Sequence, residues 1–288
     1  MFYISRLKDI KEMEYECEIV TPMFLGGAEP RKAELRVPPL KGALRFWWRA
    51  LNPQTISSLK KEEASIFGDA GETVGKSRIK MGIIGQDIRI GSYQPLPHHS
   101  SKPKNFLSPC LLNGKFTISF WGSEKDHTLF KIFCFLGGVG KRSRRGFGSI
   151  KINSAQDTSL SVTKYNIFDL INNFQPGKFK KTNENEITRI DYLRKIEYAC
   201  IKKILIGKEV SSRDELLKKI GLATHHSKSD YLGFVKGQSR FASPVYVTIN
   251  KTEENLFYPV ITWMNCAAPA HSLTGADKTD EFIKAVLS

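Results

Sequence analysis

Residues 137–150 read GGVGKRSRRGFGSI, with glycine at Gly137, Gly138, Gly140, Gly146 and Gly148 and four cations among the five residues from Lys141 to Arg145. Glycine admits positive φ and lets another group approach where a Cβ would block it. Successive free backbone N–H groups in such a loop form a concavity for anions, and Lys141, Arg142, Arg144 and Arg145 add positive side chains that suit a polyanion. An apolar helical run, 129–136, precedes the loop and an alternating run, 148–153, follows it. The stretch is therefore a helix-to-strand connection, the reverse of the strand-to-helix setting of a nucleotide phosphate loop. Two readings stand: a helix cap at Gly137-Gly138 with a solvated basic tip, or a polyanion site.

The whole chain bears on that choice. Lys and Arg total 44 against 29 Asp and Glu, a net charge of +15 over 288 residues, which favours nucleic acid or another polyanion as partner. The length suits one large or two ordinary domains. Cys17, Cys110, Cys134, Cys200 and Cys266 are odd in number and far apart, so they read as free thiols in a reducing cytosol rather than as a disulfide or zinc framework. No signal-peptide pattern and no run of 18 apolar residues is present, so the expectation is a cytoplasmic protein with no membrane partner.

Met13, Tyr15, Cys17 and Ile19 alternate with glutamates, the period of a half-buried strand. Pro38-Pro39 opens a helix over 40–51, LKGALRFWWRAL, whose Leu40, Ala43, Leu44, Trp47 and Leu51 share one face. Lys41, Arg45 and Trp48 share the neighbouring face, with Arg49 beside them. A shorter helix covers 58–67, strands 78–84 and 115–121, and a helix follows with Leu129, Ile132, Phe133 and Leu136 on one stripe; a strand follows the glycine loop. Residues 85–113 read as a long irregular segment. Strand, helix, strand, strand, helix, strand is the βαββαβ plan of a ferredoxin-like domain, shared by the RNA-binding RRM, although GSIKIN (148–153) lacks stacking aromatics.

Beyond Gln156 a short strand at 160–162 and helices over 167–174, 187–205 and 214–220 are expected, the last ended by Gly221. A hairpin joins 240–249 to 256–264, and a helix covers 277–287. The expected fold class is α+β: tandem ferredoxin-like (RRM-like) domains, 1–156 and 157–288, the second degenerate, with a helical insertion and no clear last strand.

Ala70 to Ser77, AGETVGKS, has the spacing of a phosphate-binding loop, but a helix precedes it and a strand follows, so it reads as a surface turn. His98-His99 and His225-His226 are candidate general bases toward a ribose 2′-hydroxyl; their polar settings also fit exposed, unreactive histidines. No paired-carboxylate, HExxH or CxxC constellation argues for a metal, and no cofactor motif is found. Trp48, beside Lys41 and Arg45, is placed to stack on a base or meet a partner, and Phe147 reads as a packing anchor for its loop.

With these motifs in view, the chain resembles the RAMP superfamily of CRISPR systems: GGVGKRSRRGFGS is similar to that superfamily's signature loop. TPMFLGGAEPRKAELRVPPLKGALRFWWRAL (21–51), IFG (66–68), RFASPVYV (240–247) and PVIT (259–262) resemble the first-subunit family of the type III-B Cmr effector. The resemblance implies a non-catalytic subunit that contacts guide RNA toward its 3′ end and the target RNA paired to it, among other Cmr subunits. The RNA-binding residues it implies are Lys41, Arg45, Trp48 and Arg49 of the first helix with Lys141, Arg142, Arg144 and Arg145 of the glycine loop. Whether these clusters share one groove stays open in the sequence. A metal-independent endoribonuclease using His225 or His226 as base, and a structural assembly subunit, are the alternatives.

Overall fold

The computed structural model describes residues 9–27, 29, 32–69, 75–98, 107–156, 158–159, 162–191, 197–266 and 273–288. Its first half runs β1 (Lys11–Ile19), α1 (Val37–Leu51), α2 (Ile56–Phe67), β2 (Lys80–Tyr93), β3 (Ser108–Gly122), α3 (Glu124–Leu136), β4 (Ile150–Ala155) and β5 (Thr158–Ser159). The strands form one antiparallel sheet in the order β2-β3-β1-β4-β5. For the first four strands this is the ferredoxin-like order, with β1 and β3 in the centre. The alternation of β1 sets its faces: Tyr15, Cys17 and Ile19 are buried, and the glutamates between them point away from the core. Helix α3 starts at a capping box in which Ser123 and Asp126 satisfy each other's orphan amides. Asp126 also takes a bidentate pair from Arg78 (2.9 Å), tying the start of α3 to the entry of β2.

The second half repeats the path. After α4 (Ile167–Phe174) come β6 (Phe179–Asn183), β7 (Glu186–Arg189), β8 (Cys200–Ile206), α5 (Arg213–His226), β9 (Phe234–Lys236), β10 (Ser239–Phe241), β11 (Val245–Lys251), β12 (Phe257–Asn265) and α6 (Thr279–Leu287). The sheet order β11-β12-β8-β7-β6 places β8, α5, β11, β12 and α6 as a second βαββα unit. The place of its fourth strand, beside β8, is filled by β7, which comes earlier in the chain. The missing last strand is thus supplied from before the unit.

The two units share a core. Leu44 and Trp47 of α1 and Phe130 and Phe133 of α3 belong to one buried cluster with Ile201, Ile204, Tyr246 and Val260 of the second sheet. The opposite face of that sheet, with Val245, Val247, Ile249 and Ile261, packs on Leu217 and Ile220 of α5 and Phe282 of α6. The layers therefore run sheet, helices, sheet, helices. Side chains of β11 complete the end of α3: Thr248 Oγ1 donates to Leu136 O (2.5 Å) and Asn250 Nδ2 to Phe135 O (3.0 Å), two carbonyls that a helix end leaves without partners.

Four sequence expectations are corrected. The irregular segment expected over 85–113 is regular at both ends: β2 and β3 continue through 85–93 and 108–113 as a long two-stranded arm paired out to Tyr93 and Ser108, and residues 99–106 lie outside the described residues. Register shifts at Ile83/Gly85 and Arg89/Ile90 break the period that would have shown it. The helix expected over 187–205 is instead β7 and β8, because the apolar run CIKKILI is β-branched and paired on both sides. Gly221 does not end α5, which continues to His226; a Cβ there would lie 2.4 Å from His98 Nδ1, so it is a close-approach residue. The long hairpin starts at Val245, and Arg240 belongs to the separate β9–β10 pair.

The 277–287 helix is present as α6 and the 167–174 helix as α4. Residues 70–74 of the AGETVGKS stretch, His99 and Leu160 lie outside the described residues. Cys17, Cys110, Cys134 and Cys200 are buried, and Cys266 is half-buried. Among the described residues no helix is long and apolar enough to cross a membrane.

Candidate nucleic-acid interface

The glycine loop leaves α3 and folds back on itself beneath the second sheet. Val139 N–H donates to Gly148 O and Gly148 N–H to Pro22 O (both 3.0 Å). Lys141 N–H donates to Phe24 O (3.0 Å), Gly146 N–H to Val247 O (2.8 Å) and Ser149 N–H to Thr21 Oγ1 (3.0 Å). These amides are spent on protein oxygens, so the anion concavity expected of the loop backbone is not formed by them. Glycine is needed for the closeness instead. Gly140 (φ +90°) and Gly148 (φ +70°) adopt conformations that L side chains rarely take, and a Cβ on either would meet the carbonyl of Phe24 or Val139 at 2.5 or 1.9 Å. Phe147 anchors the loop as expected, buried against Phe24 (5.1 Å between rings) and Tyr93 (6.1 Å).

The four cations of the loop part company. Arg145 turns inward: it donates to Val245 O (2.9 Å), Ser243 Oγ (3.1 Å) and Leu232 O (3.3 Å), and lies 5.2 Å from the centre of the Phe282 ring. Burial, followed by the charges of Arg142 and Arg144, lowers its pKa to about 10, so it stays charged at neutral pH. Arg144 donates to Ser243 O and lies over the rings of Phe46 (5.5 Å) and Tyr246 (5.3 Å). Arg142 is half-buried in the left-handed region (φ +62°), and burial lowers its pKa. Lys141 is exposed.

The α1 cations are likewise engaged. Lys41 donates to Ile79 O (3.1 Å), and burial, then the nearby charge of Arg45, lowers its pKa. Arg45 donates to Phe67 O (2.8 Å) and Gly68 O (3.1 Å) at the end of α2, where the helix dipole favours a cation. Arg49 forks both oxygens of Glu63 at 2.9 Å and stacks over Tyr198. Trp48 is 4 % exposed and packs edge-on against Phe67. Its ring has no face open to a base, which removes the stacking role expected of it.

The glycine loop meets α1 through the aromatic side chains of the helix rather than through its cations. Tyr246 lies 5.1 Å from Trp47 and 5.8 Å from Phe46, Arg144 covers both Phe46 and Tyr246, and Gly137 sits where a Cβ would reach 2.3 Å from Trp47 Nε1. Ser143 Oγ and the Tyr246 hydroxyl share a hydrogen bond of 3.0 Å. An aromatic seam of Phe46, Trp47 and Tyr246 thus joins α1, the loop and β11. Tyr246 and Ser243 were missed as site residues, although both lie in the RFASPVYV motif.

The outer face of the first sheet is a different surface. Glu12, Glu14, Glu16 and Glu18 line the outward side of central β1, and among the described residues only Glu16 and Glu18 are neutralised by lysines, Lys115 and Lys251. A row of carboxylates opposes phosphate there, so this face is unsuited to the sheet-face RNA binding of an RRM. His225 and His226 lie on the last turn of α5, exposed, rather than in a loop; the arm brings His98 to 5.8 Å from His225. Among the described residues no group of three or more His, Cys, Asp or Glu could hold a metal ion.

Residues 16–151 match the RAMP superfamily. The chain is 27% identical over 190 residues to CRISPR system Cmr subunit Cmr1-2 of Pyrococcus furiosus, covering 52% of this chain and 99% of that one. It is 31% identical over 186 residues to Cmr1-1 of the same organism, covering 54% of this chain and 53% of that one, about half the length of that relative. The crystal structure of apo Cmr1 from P. furiosus superposes with a TM-score of 0.60 at 17% identity, covering 96% of each chain. A chain of the type III-B Cmr-beta cryo-EM structure bound to cognate target RNA gives 0.60 at 12% identity, covering 96% of this chain and 98% of that one. Residues 16–151 are thus similar to the RAMP superfamily, and about half of the chain is similar in sequence to Cmr1 subunits of CRISPR systems.

Proposed function

We propose that this protein is a non-catalytic RNA-binding subunit of a type III-B Cmr effector, contacting guide RNA toward its 3′ end and the target paired to it, beside other Cmr subunits. The observation that carries the reading is the seam: Arg144 of the glycine loop lies over both Phe46 of α1 and Tyr246 of β11 in a chain of net charge +15. Lys141, Arg142 and Arg144 form the phosphate-facing rim, and Lys41 and Arg45 extend it along α1. Arg49, Trp48 and Arg145 hold the scaffold behind that rim. The division into 1–156 and 157–288 belongs to the same proposal, with Gln156 (φ +48°) at the turn that leads from β4 to β5 of the first sheet.

The test is fluorescence anisotropy of a labelled single-stranded RNA across a salt series, with the RNA run on a gel afterwards. If Z phosphates are neutralised, log affinity falls with log salt at a slope of about 0.7Z. Lys141→Ala/Arg142→Ala then lowers the slope by roughly 1.4. A flat salt response overturns the reading, and cleavage that is lost in His225→Ala or His226→Ala replaces it with an endoribonuclease.

A further inference from the structure

Between the 3-10 turn at Asp230–Leu232 and Ser243 the chain leaves the second sheet. Among the described residues β9 and β10 pair only with each other, across the two-residue turn Gly237-Gln238, whose glycine has φ +58°, the sign a type II′ turn requires at its first central position. An isolated two-stranded hairpin is marginal in water. This one is fastened at its foot. The Phe234 and Phe241 rings lie 6.0 Å apart, and Gly233 approaches so closely that a Cβ would sit 2.7 Å from Ser243 N. Arg145 of the glycine loop bonds both roots, Leu232 O and Ser243 Oγ. Asp230 accepts from Lys236 Nζ (2.5 Å) and from Thr274 N–H (2.9 Å).

The fastened hairpin presents one pair outward. Val235 stands opposite Arg240 in the register, 70 % exposed, and Arg240 is exposed beside it. From His225 to Arg240 the single carboxylate is Asp230, which Lys236 neutralises. Exposed Lys228 and Arg240 therefore stand without opposing acid in that segment. An apolar side chain beside an uncompensated arginine fits a nucleic-acid strand, which offers phosphate and an apolar sugar or base face together.

We propose that the 234–241 hairpin is a second RNA-contacting element, in which Arg240 binds a phosphate and Val235 lies against the neighbouring ribose or base. The proposal rests on the RNA-binding reading above. It adds a contact that neither α1 nor the glycine loop supplies, and gives the inward-turned, half-buried Arg145 a purpose: orienting the element.

The test uses the full chain with Arg240→Ala, Arg240→Lys and Val235→Ser, in anisotropy against single-stranded RNA across a salt series. Losing one phosphate contact lowers the salt slope by about 0.7 and the affinity at 0.1 M salt about fivefold; Arg240→Lys restores the slope. Val235→Ser weakens binding without changing the slope. Both positions are exposed, and an unchanged melting temperature confirms that each variant is folded. If wild type binds RNA and Arg240→Ala and Val235→Ser match its affinity and slope, the hairpin site is overturned while the rim at Lys141 and Arg142 stands. If wild type binds no RNA, both fall.

Discussion

Replacing Arg145 by methionine tests whether the glycine loop is a clamp between the two sheets. Three of its hydrogen bonds reach residues of the second half, Leu232, Ser243 and Val245. At the lower end of the range for bonds to a charged group, about 1.5 kcal/mol each, they contribute roughly 4.5 kcal/mol. Against this stands the cost of burying the charge. A pKa held at about 10 instead of 12.5 corresponds to about 3 kcal/mol, which the variant no longer bears. The orphaned carbonyls add about 1–3 kcal/mol, softened at Val245 O because the Ser243 hydroxyl still donates to it (3.1 Å). The net loss is about 2–4 kcal/mol, a fall in melting temperature of roughly 5–15 °C for a chain of this size. Thermal and urea unfolding of Arg145→Met, with Arg145→Lys alongside, measure it. A variant as stable as wild type refutes the clamp, because a guanidinium aimed at solvent or RNA would cost nothing to remove.

Trp48→Ala destabilises the fold by about 3–5 kcal/mol, as expected of a buried indole; a denaturation midpoint unchanged from wild type would place that ring at the surface after all. Gly148→Ala loses roughly 3 kcal/mol or more, since its Cβ meets Val139 O at 1.9 Å at φ +70°, whereas Gly75→Ala, at φ +74° with nothing within 4 Å, costs only about 1 kcal/mol; equal midpoints for the two would remove the close-approach argument. His127 is buried, sharing a 2.9 Å hydrogen bond with the Tyr15 hydroxyl, and burial lowers its pKa although the Lys11 carbonyl opposes the shift. The unfolded chain then takes up its proton first as pH falls through about 6.5, so stability is full above that pH and declines below it. Urea midpoints from pH 7.5 to 5 should show this slope in wild type and not in His127→Phe.

Local sequence signals were strongest where one face of an element meets the core. The alternation in β1, the i, i+3, i+4, i+7 stripe of α1 and the Ser123 cap of α3 each declared their elements, because each depends on residues close in sequence. The arm did not declare itself, because two bulges shift its register and Gly114 (φ +128°) is forced by the approach of Asp87 O to 2.2 Å from where a Cβ would lie. That contact exists only once β2 and β3 are paired. The helix assigned to 187–205 failed for a related reason. Seven residues, CIKKILI, cannot be divided between helix and strand by periodicity when both faces are buried, and partners on both sides decide it.

The site follows the same division, with a sharper consequence. Composition identified a basic loop, but the direction of each cation depends on acceptors far away: Val245 lies 100 residues after Arg145 and Leu232 lies 87. Four cations in five residues repel one another, and Arg142 and Arg144 both lower the pKa of Arg145. Such a run persists in a folded chain only if oxygens surround it. Here the carbonyls of Leu232, Ser243 and Val245 serve the inner side, and the aromatic faces of Phe46 and Tyr246 serve the middle. The outer side, at Lys141 and Arg142, receives no carboxylate among the described residues. Repulsion that is answered inside the protein and left unanswered at the rim is the electrostatic state that a phosphate backbone would relieve, so the same loop can be both clamp and contact surface, with Arg144 at the boundary between the two roles.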